Sequence, residues 1–442
     1  MRGFAFVLVL MTATAAQAQP PPTAKLTSLL DGDSLIPLKI EAPLRQLFES
    51  GGDDETVTVP ATVTAGNAVW HDVALSVRGH TSRRETECTF PKLKLKLKGA
   101  GSLKIGTHCG ESADGQLTQK YGRLANERSP LREVVAYRML HAAAVPALRA
   151  RAARITYVDT GTGGAPLTRN ALVLEDDDDA MARAGGTREL TLETFGDVSS
   201  RHASGDAGLV AFGEALIGNF DWCLKFTADD AYRCDASKPV WNLLAFERGA
   251  GATLMMKDFD LAGVVVGRHP WFDTVWNRAF VASKSPVDIE VLSQVQRTRS
   301  LFPRDALDEL RRHFLERRDA ELSAIQGAEV DAEGRRLALG YANAFFAAIG
   351  DDQAFYRPVV ARPDVQVYLD PQRTKEACGP KDAIRPGTPV NEVQRSGSMS
   401  QVVILDVMWR WGSKNECNNV QNGPVWIVTG SITSDYPSRK IQ

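Results

Sequence analysis

The N-terminal part of the chain alternates apolar and polar residues with a period of two. Segments 35–40, 57–59 and 73–77 show this pattern, and 92–98 follows it strictly, with leucine and lysine at alternate positions. A period of two sends neighbouring side chains to opposite faces of a strand, so a β-rich N-terminal part is predicted. The lysine face of 92–98 favours an edge strand protected from aggregation; a phosphate-binding surface is the alternative.

Apolar residues spaced three and four positions apart predict helices further along the chain. The predicted stripes are Leu209, Phe212, Leu216 and Phe220; Leu307, Leu310 and Phe314; and Leu337, Tyr341 and Phe345. Another helix is predicted to start at Ser129-Pro130, with serine as N-cap. Beyond Asp351, short apolar runs at 365–368, 402–405 and 424–428 predict strands.

Two apolar runs on either side of a glycine-rich turn predict a β-hairpin. If 249–251 form a three-residue loop, Arg248 pairs with Ala252 and, counting outward, Asn242 pairs with Asp258. Directly opposed side chains in an antiparallel ladder share a face. The count therefore predicts an amide and a carboxylate side by side at the open end of the hairpin.

Asp260 shares the face of Asp258 if the chain stays extended. Mg²⁺ is typically held by one or two carboxylates together with water and phosphate oxygens, so Asn242, Asp258 and Asp260 form a candidate metal site. The alternative is a solvated hairpin end with aspartate as a turn residue. A loop of different length would put Asn242 and Asp258 on opposite faces.

Four consecutive aspartates, 176–179, follow a predicted strand that ends at Glu175. Carboxylates are favourable in the first turn of a helix, so this run favours a helix start over a Ca²⁺ site.

Residues 1–18 have the basic start, apolar core and small-residue end of a secretory signal peptide, with cleavage near Ala18. No later run approaches the roughly 20 apolar residues that span a bilayer, so a periplasmic or secreted protein is expected. An even number of cysteines in an exported chain predicts disulfides. Sequence proximity favours Cys88–Cys109, Cys223–Cys234 and Cys378–Cys417.

The formal net charge of -2 gives no electrostatic reason to expect nucleic acid as a partner. The sequence also has no G-x-S-x-G elbow, no Walker A loop and no H-E-x-x-H pair. Ordinary serine-hydrolase and zinc-protease functions are therefore disfavoured.

Several motifs follow one another in a distinctive order. They are Arg78-Gly79-x-Thr81-Ser82-Arg83, Phe90-Pro91-Lys92-Leu93-Lys94-Leu95, Leu131-Arg132-Glu133, the strand end at Glu175, Gly218-Asn219-Phe220-Asp221-Trp222 and Asp258-Phe259-Asp260-Leu261-Ala262-Gly263. This order resembles the CotH-like family of spore-coat kinase-like proteins, and within it exported, uncharacterised bacterial members. The sequence departs from the family pattern in two ways. Trp241 stands where the family usually has a histidine, and the sequence has no G-x-G-x-x-G motif to form a lid.

The resemblance implies an α+β fold of the atypical, two-lobed protein-kinase-like type over 19–330, with an N-lobe at 25–170 and a C-lobe at 171–330. A helical linker is predicted at 331–350. The small β domain at 351–442 resembles an SH3-like barrel in its strand spacing and tryptophans.

Spore-coat members of the family are protein kinases, so the resemblance implies ATP with Mg²⁺ (or Mn²⁺) as cofactors. Asp221 matches the aspartate that orients or deprotonates the acceptor hydroxyl, and Asp258 matches the metal-binding aspartate, with Asn242 beside it. The remaining implied positions are Arg78 and Lys94, facing phosphates, and Glu133 or Glu175, supplying an orienting contact.

Two functions follow as hypotheses. The first is an exported phosphotransferase that acts on a hydroxyl of an envelope protein or glycan. The second is a catalytically inactive kinase-fold protein that binds an envelope component through its SH3-like module. A metal-dependent hydrolase at the same carboxylates is a third alternative.

Overall fold

The structure is a computed structural model of the whole chain. It describes residues 24–51, 56–79, 82–83, 88–110, 127–190, 194, 204–224, 240–267, 285–299, 302–361, 365–377, 390–404 and 424–434. The predicted signal peptide at 1–18 lies outside these ranges.

Seven strands of the N-terminal part close into a barrel. They are β1 (Ile36–Ala42), β2 (Val59–Ala65), β3 (Ala68–Val77), β4 (Leu93–Leu97), β5 (Gly101–Gly106), β6 (Ala150–Asp159) and β7 (Leu167–Glu175). The order is β1-β2-β3-β4-β5-β7-β6, and a parallel pairing of β1 with β6 completes the ring. The alternating pattern explains the interior, where Leu93 and Leu95 of β4 are fully buried.

Strand β4 lies between β3 and β5, so the prediction that 92–98 is an edge strand is wrong. Closing the sheet leaves the barrel without free edges. The lysines of β4 therefore do not protect an edge: Lys94 forms an ion pair with Asp176, while Lys96 is exposed to solvent.

Helices lie between some of the barrel strands and follow the barrel in the chain. They are α1 (Leu44–Gly51), α2 (Arg128–Ala142), α3 (Asp177–Arg183), α4 (Ser204–Leu216), α5 (Gly263–Val266), α6 (Pro286–Arg299), α7 (Arg304–Leu315), α8 (Arg318–Gln326), α9 (Ala332–Gly350) and α10 (Asp352–Phe355). Helix α2 begins before Ser129, so this serine is not its N-cap. The run of aspartates starts α3, as predicted.

Short strands complete the described chain. They are β8 (Arg188–Glu189), β9 (Cys223–Leu224), β10 (Val240–Trp241), β11 (Leu243–Arg248), β12 (Gly251–Met256), β13 (Val359–Val360), β14 (Val390–Ser396), β15 (Met399–Ile404), β16 (Val425–Val428) and β17 (Ile432–Thr433). Strands β14, β15 and β16 form an antiparallel sheet, and β13 pairs with β17.

The prediction of an α+β fold is confirmed, and it includes a closed seven-stranded barrel. One hydrophobic core fills the barrel, a larger one joins the helices with the β11–β12 hairpin, and a third lies under the C-terminal strands. The predicted linker 331–350 is helical, and Tyr341 and Phe345 of α9 are buried in the larger core.

The predicted disulfide between Cys88 and Cys109 is confirmed. Cys223 is also disulfide-bonded, but its predicted partner Cys234 lies outside the described residues, as do Cys378 and Cys417. A disulfide is compatible with the predicted location outside the cytoplasm. Among the described residues, no helix has the length and apolar character required to cross a membrane.

Candidate functional site

The β11–β12 hairpin has a shorter loop than predicted. Arg248 pairs with Gly251, so the loop consists of Gly249 and Ala250 alone. Gly249 has φ +61°, in the left-handed region that tight two-residue hairpin turns require. The predicted pairing of Arg248 with Ala252 is therefore wrong by one residue.

The opposition of Asn242 and Asp258 is wrong for the same reason, because the ladder ends where Leu243 pairs with Met256. Both residues leave the strands in left-handed conformations, with φ +53° at Asn242 and +64° at Asp258. The side-chain amide of Asn242 donates to Asp221 Oδ2 at 3.0 Å and also to the Asp221 backbone carbonyl. Asn242 thus orients the predicted catalytic aspartate.

Asp258 and Asp260 meet at Lys92, the residue just before β4. Its Nζ lies 3.5 Å from Asp258 Oδ1 and 3.0 Å from Asp260 Oδ2, and the lysine side chain is only 11% exposed. A nearby cation relieves the repulsion between two carboxylates. Here that cation belongs to the barrel, so Lys92 joins the two parts of the molecule.

Lys92 was not singled out from the sequence. The period-two pattern treats the four lysines of 92–98 alike, and the resemblance points to Lys94. In the structure Lys94 forms an ion pair with Asp176 at 2.6 Å, while Lys92 reaches Asp258 and Asp260. The sequence could have distinguished Lys92 only by its position, because it follows Pro91 and is the lysine nearest the basic turn at 78–83. In the structure its backbone carbonyl accepts from the Arg78 N–H at 2.9 Å.

Helix α2 contributes Glu133, whose carboxylate is buried and accepts from the Phe259 backbone N–H. Burial raises the pKa of Glu133 to about 7; Lys92 opposes this rise, and Asp260 and Asp258 reinforce it. One turn along the helix, the Tyr137 hydroxyl accepts from the Asp258 N–H at 3.3 Å. The predicted Glu133 therefore lies at the site.

Arg78 follows β3 and adds positive charge to this region. Its Nη1 is buried and has no hydrogen-bond partner among the described residues. An unpaired buried donor is costly, so this guanidinium favours an anionic ligand. Glu175 differs: its carboxylate accepts from the Arg183 guanidinium at 2.8 Å and from Arg149 N–H at 3.0 Å, a separate ion pair.

A small pocket adjoins Asp221. It is lined by Gly218, Phe220, Asp221, Leu261, Gly263, Gly267 and Glu290. Behind it the Tyr341 hydroxyl donates to Glu290 Oε1 at 3.1 Å. A Cβ at Gly218 or Gly263 would stand 2.1 Å from the Tyr341 ring, so glycine is needed at both positions. Asp221 thus lies at the edge of a closely packed region in which Tyr341 leaves no room for a side chain at Gly218 or Gly263.

The carboxylates fit only one kind of metal site. Among the described residues, no group of three or more His, Cys, Asp or Glu side chains is arranged to hold a metal ion. Asp258 and Asp260 are a two-carboxylate set, which suits Mg²⁺ or Mn²⁺ when water and phosphate oxygens complete the coordination. The Asn242 amide contacts Asp221, and the cross-strand pairing that was to bring Asn242 to Asp258 is absent from the ladder.

Comparison with known proteins adds no assignment. No protein-family model matches this chain, and no curated protein matches it either. Function must therefore be argued from the residues of the site.

Proposed function

We propose that this chain is an exported, two-lobed kinase-like phosphotransferase that acts on a hydroxyl of an envelope protein or glycan. The observation that supports it best is the meeting of Lys92 from the barrel with Asp258 and Asp260 beyond the hairpin. Phosphoryl transfer depends mainly on positioning and on neutralising oxygen charge, for which cations and metal-binding carboxylates are suited.

Asp221 is the proposed acceptor-side residue. Its carboxylate would orient the attacking hydroxyl and take its proton while the new oxygen–phosphorus bond forms and the bond from that phosphorus to the bridging oxygen of ATP breaks, releasing ADP. The Asn242 amide holds one carboxylate oxygen at 3.0 Å, and the backbone N–H of Asp221 donates to Asn219 Oδ1, also at 3.0 Å. These contacts fix the carboxylate beside the pocket, as general-base geometry requires.

The cofactor side of the site consists of Asp258 and Asp260 as ligands of Mg²⁺ or Mn²⁺. When bound, Mg²⁺ and ATP would supply the transferable phosphoryl group and neutralise its charge. Lys92 and Arg78 neutralise phosphate oxygens in this proposal, with Lys94 further along the lysine face. Glu133 holds the Phe259 backbone between the two aspartates.

Binding and transfer are tested together with the mature protein, Mg²⁺ or Mn²⁺ and labelled ATP. Asp258→Asn should abolish label transfer to envelope extract while the melting temperature barely falls, because Asp258 is 43% exposed. Asp319→Asn on α8, an exposed carboxylate, is the matched control and should retain full transfer. Wild-type protein that neither binds nucleotide in a calorimeter nor transfers label would overturn the proposal.

The C-terminal strands support the second candidate, an inactive envelope-binding protein. They have a small hydrophobic core that includes Val402 and Ile427, while Val403 of β15 packs into the larger core of the helices and the hairpin. Truncation after Arg357 retains the buried Phe355 and should remove envelope association if this module is the binding element. Unchanged association, with an unchanged melting curve, would contradict that role.

A further inference from the structure

One carboxylate joins the barrel to the residue before Asp258. Asp177, in the first turn of α3, forms an ion pair through Oδ1 with Lys104 Nζ of β5 at 2.6 Å, and its Oδ2 accepts a hydrogen bond from Lys257 Nζ at 3.1 Å. Lys257 follows the last residue of β12 and directly precedes Asp258. We call Lys104, Asp177 and Lys257 the lysine–aspartate bridge.

The barrel side of the bridge has a structural cause. The β4–β5 register places Lys94 directly opposite Lys104, and like charges in this arrangement repel. Asp176 neutralises Lys94 and Asp177 neutralises Lys104. Each strand lysine thus already has a carboxylate partner. Lys257 is not needed to balance the charges of the strands, so its contact with Asp177 needs another explanation.

That explanation lies in the conformation of Asp258. Asp258 has φ +64°, a left-handed conformation that is uncommon for non-glycine residues but that aspartate adopts more readily than most, so contacts of its neighbours can select it. The Tyr137 hydroxyl accepts the Asp258 N–H, and the bridge fixes the preceding side chain. The carboxylate of Asp258 is thereby directed to Lys92.

We infer that Asp177 is a positioning residue which, through Lys257, sets the conformation of the Asp258 turn. The positioning follows from these contacts, whereas its effect on phosphoryl transfer rests on the proposed function. Burial raises the pKa of Asp177, but Lys257 and Lys104 outweigh burial and lower it to about 2. The Asp177 carboxylate therefore stays charged across the neutral pH range.

Hydrogen exchange of the full chain tests the positioning without any ligand. Lys257→Met removes the contact near the site and leaves Asp177 paired with Lys104. Lys104→Met, the matched control, leaves Asp177 paired with Lys257. Amides of residues 257–261 should exchange about tenfold faster in Lys257→Met and at the wild-type rate in Lys104→Met, because only the former frees the turn.

Equal acceleration by both variants, or by neither, would overturn the inference. Asp177→Asn provides a second measurement and should accelerate exchange of these amides as much as Lys257→Met does. Lys257→Arg keeps the positive charge, so its amides should exchange at the wild-type rate. If the wild-type protein transfers phosphate, Lys257→Met should also lower kcat at least fivefold while Lys104→Met does not. If the wild-type protein is inactive, the proposed function fails, yet the exchange result still decides whether Asp177 positions the turn.

Discussion

At the scale of single residues, the cation beside Asp258 and Asp260 is the lysine side chain of Lys92. The sequence predicts that these carboxylates attract a metal ion, and either cation, lysine or metal, relieves the repulsion between them. What the sequence could not show was which of several lysines reaches across from the barrel. That choice depends on where the closed barrel meets the hairpin, a long-range contact with no local signal.

Replacing Lys92 tests this role. Lys92→Met leaves two carboxylates without their shared cation, and the free energy of unfolding should fall by about 1–3 kcal/mol. Millimolar Mn²⁺ should raise the melting temperature of this variant more than that of the wild type, since a ligand of the folded state stabilises it. Lys96→Met, at an exposed lysine of β4, should change neither quantity. An unchanged melting temperature in Lys92→Met would contradict the contact.

At the scale of elements, the hairpin shows where sequence counting succeeds and where it fails. The two strands and the turn were predictable from alternating apolar residues and glycines. The register was not, because both a two-residue and a three-residue loop suit Gly249-Ala250-Gly251. A difference of one residue moved Asn242 from Asp258 to Asp221, where it now orients the predicted catalytic carboxylate.

The packing of α5 against α9 gives a second prediction at this scale. Gly263→Ala places a methyl group 2.1 Å from the Tyr341 ring, so overpacking should lower the free energy of unfolding by about 1–3 kcal/mol. The control Gly340→Ala lies in open space on α9 and should stabilise the helix by about 0.5–1 kcal/mol. Denaturant unfolding measures the stability of both variants. Equal free energies of unfolding for Gly263→Ala and Gly340→Ala would contradict this packing.

Helix α8 contains a carboxyl group that makes stability depend on pH. Glu321 is fully buried, its two oxygens have no hydrogen-bond partner among the described residues, and burial raises its pKa to about 8, with Arg317 opposing. The folded protein thus holds this proton more tightly than the unfolded chain. The stabilisation is complete below the ordinary pKa of 4.5 and is lost as pH rises through about 8.

Glu321→Gln removes the titration. At pH 8.5 this variant should be about 1–3 kcal/mol more stable than the wild type, because the folded wild type must either bury the carboxylate charge or keep a proton that the unfolded chain has released. At pH 4.5 the two should unfold at nearly the same denaturant concentration. A difference in stability that does not change between these pH values would contradict the assignment.

At the scale of the whole molecule, strand and helix content was predictable, and the closure of the barrel was not. Period-two alternation identifies each strand, but closure depends on pairing β1 with β6, which lies more than a hundred residues away in the chain. The same limit applies to the site, whose residues come from the barrel, α2 and the hairpin. Motif order suggested their grouping, while the contacts of Lys92 and Asp177 emerged only from the assembled fold.

We propose that Asp258 and Asp260 bind a divalent cation together with phosphate. The decisive measurement is anomalous X-ray scattering from crystals soaked with Mn²⁺ and a non-hydrolysable ATP analogue. We expect a manganese peak within coordination distance of both carboxylates, with phosphate oxygens on its other side and Lys92 and Arg78 beside them. A peak elsewhere, or none at saturating Mn²⁺ and nucleotide, would contradict it.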